Sequence, residues 1–175
     1  MDQRSDAPSR VRALAAEAAR ALAAAGARDE ALADFAPARR VLGIPRAARM
    51  TPAGRVWRLG VLLVAPVGGL FGTGRVVRAQ REVRRSVTAN AVAVERAYRA
   101  AAVRGGYRED ETVNFGAQRI DPDELGAFGA SGPLVLGADG AVLVRWSAGD
   151  PTALAPFERY LAERVDLATA PPAGS

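Results

Sequence analysis

Apolar side chains recur every three to four residues over 9–25, where Val11, Leu14, Ala18, Leu22 and Ala25 fall on one stripe. That spacing predicts an amphipathic helix, with Ser9 as N-cap and Gly26 in the left-handed position that ends it. A shorter helix is expected over 29–36, capped by Asp29 and turning Leu32 and Phe35 inward. Burying a Leu contributes about 1.5–3 kcal/mol and an Ala much less, so this alanine-rich helical pair should lean on the body of the protein or on a second subunit.

The pattern then changes. RVWRLGVLLVA (55–65) and LFGTGRVVRA (70–79) are rich in β-branched and aromatic residues around a Pro-Val-Gly-Gly break, which predicts a β-hairpin. Trp57, Leu59, Val61 and Leu63 would share one face of its first strand, and Val56, Leu62 and Val64 the other, as in an interior strand covered on both sides. Residues 86–104 return to helical spacing, capped by Ser86 or Thr88, with Val87, Ala91, Val94, Tyr98 and Ala101 inward and Gly105 as terminator. A short strand at TVNFG (112–116), a hairpin over 133–146 turning at Ala138-Asp139-Gly140, and a helix over 152–165 with Leu154, Phe157, Leu161 and Val165 inward complete the chain.

This order predicts an α+β fold, a mostly antiparallel sheet of two hairpins plus a short strand with packed helices, preceded by an N-terminal helical pair. The expected organisation is a helical segment over 1–36, a Pro/Gly/Arg linker over 37–54, the α+β domain over 55–170 and a tail over 171–175. The apolar run LGVLLVAPVGGLFGTG (59–74) is uncharged for sixteen residues but holds Pro66 and five glycines. A spanning helix needs about 20 apolar residues with an intact ladder, so no membrane span is expected. MDQRSDAPSR has no apolar signal-peptide core, and the cytosol is the expected compartment.

Composition closes several chemistries. The chain has no His, no Cys and no Lys, so all 24 basic residues are Arg. That removes Ser-His-Asp and Cys-His nucleophile systems, ordinary zinc sites, the Walker A loop, the Ser-x-x-Lys centre and Schiff-base lysines. No catalytic residue, metal site or cofactor is expected. Carboxylates remain: Asp121, Asp123 and Glu124 in DPDEL would suit a hard cation or an acid/base pair, but a helix start with Asp121 as cap and Pro122 in the first turn accounts for them better. Likewise GGLFGTG (68–74) suggests a phosphate-cradling loop beside Arg75, and a glycine-containing hairpin explains it as well. Ser131 in GASGPL lacks a nucleophile-elbow spacing and reads as a turn serine.

The net charge of +5 hides a steep asymmetry: residues 39–108 hold fifteen Arg against Glu82 and Glu95, whereas residues 109–175 hold four Arg against eleven acids. The densest basic stretch is GRVVRAQREVRR (74–85), whose Arg75, Arg78, Arg81, Arg84 and Arg85 are the candidate polyanion-binding residues, with Trp57, Phe71, Tyr98 and Tyr107 as stacking partners. Geometry weakens that row, because on a strand Arg75 and Arg78 point to opposite faces, and on a helix steps of three slip by about 60° each.

RVWRLGVLL (55–63), TGRV (73–76), RGG (104–106), SGPL (131–134), VRWS (144–147) and YLAERV (160–165), followed by a Pro-Pro tail, resemble a family of small actinobacterial proteins without an assigned activity. The resemblance covers about residues 50–175 and implies no catalytic residue. The expected function is a non-catalytic binding domain, directed at a protein partner or at a second copy through complementary basic and acidic surfaces. Nucleic-acid or other polyanion binding through 75–85, and a carboxylate enzyme using Mg²⁺, are the alternatives.

Overall fold

The computed structural model describes residues 3–80, 90–147 and 149–170. It is an α+β chain whose residues divide into two compact units, each assembled from separated stretches. The first unit takes Met1–Asp29, Val56–Thr73 and Gln118–Ser175; the second takes Glu30–Arg55 and Gly74–Ala117. Among the described residues no helix is long and apolar enough to cross a membrane.

In the first unit, helix α1 (Gln3–Ala24) starts six residues before the expected Ser9 cap and carries Pro8 within it. Its stripe is Val11, Ala15, Ala18, Ala19 and Leu22, all buried, with Leu14 half-buried and Ala25 exposed. At its end the Ala27 amide donates to the Leu22 carbonyl and the Gly26 amide to that of Ala23, with Gly26 left-handed as its position predicts. Strand β4 (Arg49–Leu59) enters this unit at Val56 and turns sharply into β5 (Leu62–Val64). The expected single strand over 55–65 is therefore two antiparallel strands, paired Trp57 with Val64 and Leu59 with Leu62. The turn reverses the alternation, so Trp57, Leu59, Leu62 and Val64 share one core with the half-buried Val61 packed against it, while the grouping of Leu63 with Trp57 does not hold.

Across the Pro-Val-Gly-Gly turn β5 pairs with β6 (Leu70–Gly72), and β6 pairs with β9 (Gln118–Arg119); the single strand expected over 70–79 is broken after Gly72, and its remainder, β7 (Arg75–Arg78), belongs to the second unit. Helix α3 (Pro122–Phe128) begins as DPDEL requires: the Asp123 amide donates to Asp121 Oδ1 at 2.9 Å and Pro122 opens the first turn. A second antiparallel sheet has the order β10 (Ala130–Ser131), β11 (Leu134–Leu136), β12 (Val142–Arg145), β13 (Leu154–Pro156), and contains the expected turn at Asp139-Gly140. Helix α4 (Phe157–Thr169) starts five residues later than the pattern suggests, and Leu154 lies exposed on β13 instead of facing a helix core. Phe157, Tyr160 and Leu161 of α4 and the buried stripe of α1 close the core with Leu125 and Leu134.

The second unit corrects the expected second helix. Residues 29–36 form a strand, β1 (Glu30–Ala36), in the order β7 (Arg75–Arg78), β8 (Thr112–Phe115), β1, β4, and β1 runs parallel to β8. The alanines favour a helix locally, but Ala31, Ala33 and Phe35 alternate and share a core with Val77, Val113 and Phe115; tertiary packing overrides propensity. Helix α2 (Asn90–Arg104) adds Ala101 and Ala102 to that core, small residues facing small residues. Its expected start over 86–89 lies outside the described residues, and Val94, expected inward, is about half-exposed. Residues 37–54, read as linker, carry β2 (Arg39–Val41), β3 (Ile44–Arg46) and the start of β4.

Candidate functional site

Charge follows the units. By sequence the second unit holds fourteen Arg against seven Asp and Glu, a net of +7, and the first holds ten Arg against twelve acids, a net of −2; together these give the chain's +5. By sequence, the basic excess therefore falls within one of the two units.

Several of that body's arginines have structural partners. Arg55 bonds Glu111 at 2.7 Å, and the other Glu111 carboxylate oxygen accepts from the Arg108 amide. Arg99 donates to Gln80 at 2.9 Å, and Arg104, in the last turn of α2, donates to the Ala48 carbonyl at 2.8 Å. Beside them, Tyr107 donates its hydroxyl to the Leu32 carbonyl; burial, with Glu111 and Asp34 nearby, pushes its pKa above the usual 10. Asn114, fully buried, donates to Glu30 at 2.7 Å and to the Ala31 carbonyl at 3.1 Å.

Of the five candidate polyanion residues, the structure describes Arg75 and Arg78. Arg75 caps an aromatic cluster: its guanidinium stands 5.3 Å from the Tyr98 ring centroid, and Tyr98 packs at 4.9 Å on Phe115 and 5.2 Å on Phe35. Arg78 is exposed three residues along β7, on the strand face opposite Arg75 and the buried Val77. Arg81, Arg84 and Arg85 lie outside the described residues. Of the aromatic partners, Tyr98 and Tyr107 belong to the second unit, Tyr98 under Arg75; Trp57 and Phe71 belong to the first, where Trp57 is buried and donates its indole N–H to the Ala27 carbonyl at 2.9 Å.

The other sequence candidates have local roles. Asp121 caps α3, Asp123 pairs with Arg12 and raises its pKa, and Glu124 accepts at 3.4 Å from Ser131, whose hydroxyl also accepts the Asp121 amide. Among the described residues no group of three acids stands close enough to hold a metal ion. In the glycine run, the Gly68 amide donates to Ala65 and the Thr73 amide to Val61, so these N–H groups belong to the hairpin.

Two surfaces stand out in their place. The first is the β2–β3 ribbon, closed by a two-residue turn at Leu42-Gly43. Both turn residues have positive φ, 51° and 82°, as a type I′ hairpin requires. Arg39 lies directly opposite Arg46, a like-charge pair that destabilises a ribbon unless something anionic intervenes. Arg39, Arg40, Arg46 and Arg49 are exposed and have no carboxylate partner among the described residues. Leu42 at the tip is 97% exposed and Ile44 65%. Linker composition conceals this arm, although the sequence holds a signal: Val41 and Ile44, then Arg39 and Arg46, flank Leu42-Gly43 symmetrically.

The second surface belongs to the first unit. Helices α1 and α4 leave a groove of ≈ 250 Å³ floored by Leu14, Ala18, Leu161 and Val165. Ala21 and Ala162 line its sides, and Glu17, Glu158 and Asp166 form its rim without an arginine. Arg10 reaches Glu158 at 3.8 Å; Glu17 and Asp166 have no cationic partner among the described residues. The helical periodicity of both segments predicts their apolar faces, but only the packed pair places three acids around one apolar floor. No family model, no curated protein and no solved structure matches the chain.

Proposed function

We propose that the chain is a non-catalytic protein-binding module whose basic unit engages an acidic protein surface, a second copy of itself included. The observation that supports this most is the segregation of charge: by sequence +7 in one unit and −2 in the other, with four exposed arginines near one ribbon that have no carboxylate partner among the described residues. Such a field attracts an acidic partner over about a Debye length, roughly 10 Å at 0.1 M salt, and fixes its orientation more than its affinity. The polyanion alternative has the same long-range field behind it, but in the described stretch Arg75 is stacked on Tyr98 and Arg78 faces the other way.

Size-exclusion chromatography with light scattering, run beside a lysate pull-down from about 50 to 500 mM salt, tests the proposal. A mass above the monomer, or a retained protein, that is lost as salt rises is expected. A strict monomer recovering no protein at any salt overturns it, as does retention solely of nucleic acid that disappears with nuclease.

A further inference from the structure

Leu42 is poorly suited to its position on two separate counts. A type I′ turn needs φ > 0, where Asn, Asp and Gly are at ease and a branched aliphatic residue is strained. An apolar side chain 97% exposed at the end of a ribbon gains nothing from water. Asn would satisfy both demands. The strand beside it repeats the pattern, with Ile44 65% exposed. A two-stranded ribbon with so little buried surface is marginal alone, so this arm is built to be completed by something it touches.

The α1–α4 groove has the complementary design. Its ≈ 250 Å³ falls below the usual 300–1,000 Å³ of a small-molecule pocket and suits the insertion of an aliphatic side chain or two. Its floor is aliphatic, and Glu17, Glu158 and Asp166 stand where residues flanking an inserted tip would pass. On the arm those flanking residues are Arg40 and Arg46.

We infer that Leu42 at the tip of the β2–β3 arm of one copy seats in the α1–α4 groove of a second copy, with Arg40 and Arg46 facing its acidic rim. The inference rests on the protein-binding reading above and names the partner as this same chain. Because arm and groove are different surfaces, a reciprocal pair of insertions closes an isologous two-fold dimer, whereas a single insertion is a heterologous contact and propagates.

Two full-length variants test it. Leu42→Asn keeps the turn and removes the apolar tip; Ala21→Arg, at an exposed helical position, blocks the groove with a good helix former. Sedimentation of the wild-type chain up to about 100 μM should show association, weakened about tenfold or more in either variant, with unchanged circular dichroism. Mixing the two variants should restore a one-to-one heterodimer, because one supplies the groove and the other the arm. Wild-type association that is salt-sensitive yet unchanged in both variants overturns the arm-and-groove contact while leaving the protein-binding reading standing. A monomeric wild type, or variants that fail to complement each other, also overturns it.

Discussion

Substituting Gly60 by Ala should damage the first unit in a way that a second, remote substitution repairs. Gly60 begins the turn from β4 to β5 with φ of 63°, and a Cβ added there would overlap the hydroxyl of Tyr160 on α4. That hydroxyl accepts the Val61 amide at 3.1 Å, and the ring beneath it is buried, with Arg164 stacked 5.0 Å from its centroid. The left-handed conformation costs Ala about 1–2 kcal/mol, the lost hydrogen bond about 1 kcal/mol, and the forced displacement of a packed side chain about 1–3 kcal/mol. Gly60→Ala should therefore destabilise by about 3–6 kcal/mol, and Tyr160→Phe alone by about 1 kcal/mol. In the double variant the overlapping oxygen is gone and the hydrogen bond is lost once, which leaves about 2–3 kcal/mol. Adding Tyr160→Phe to Gly60→Ala should thus raise stability by about 1–3 kcal/mol. Urea unfolding followed by tryptophan fluorescence, with m held constant across the cycle, measures this. Additive losses within about 0.5 kcal/mol would refute the docking of α4 on this turn.

Gly105, buried after α2, gives a paired comparison with its neighbour. A Cβ there would strike the Met50 carbonyl, whereas at Gly106, φ of 95°, nothing lies within 4 Å. Gly105→Ala should lower the melting temperature by about 6–12 °C and Gly106→Ala by about 2–4 °C; equal shifts would count against the close approach of β4 to this helix end. Asp150 accepts from the Thr152 hydroxyl at 2.6 Å and its amide at 2.8 Å, which hold its pKa below the ordinary 3.8. Its contribution to stability is present above pH 3.8 and is lost as pH falls through the lower folded value. In an NMR titration Thr152→Val should move the midpoint upward; an unmoved midpoint would remove the hydroxyl as the main cause.

Features that depend on a few adjacent residues were legible in the sequence. The Asp121 cap and the Asp139-Gly140 turn each follow from local chemistry, and the buried stripe of α1 follows from its period. Three features were not legible, one because its partner is far away and two because their local signals are unusual. The β4–β5 turn lacks the Asn-Gly or Asp-Gly signal, so one apolar run conceals a reversal at Gly60, beyond which the alternation changes face. EALADFA satisfies a helix locally and becomes β1 because β8 pairs alongside it. The arm was hidden because Pro45, Gly43 and four arginines over 39–49 carry the composition of a linker. Of the candidate site, the charge imbalance was visible as a gradient along the chain, but its boundary was not, because each unit is built from separated stretches.

Those separated stretches also set a schedule for the protein's birth. The chain passes from one unit to the other four times, at 29/30, 55/56, 73/74 and 117/118. Helix α1 emerges first, yet α4, against which it packs, begins at Phe157, 133 residues after Ala24. At about 5–20 residues per second the ribosome needs roughly 7–27 s to deliver that partner. Throughout that interval the core around Val11 and Leu22 lacks Phe157, Tyr160 and Leu161, and a nascent chain stopped at Ala117 carries every residue of the second unit but no route to a finished first one.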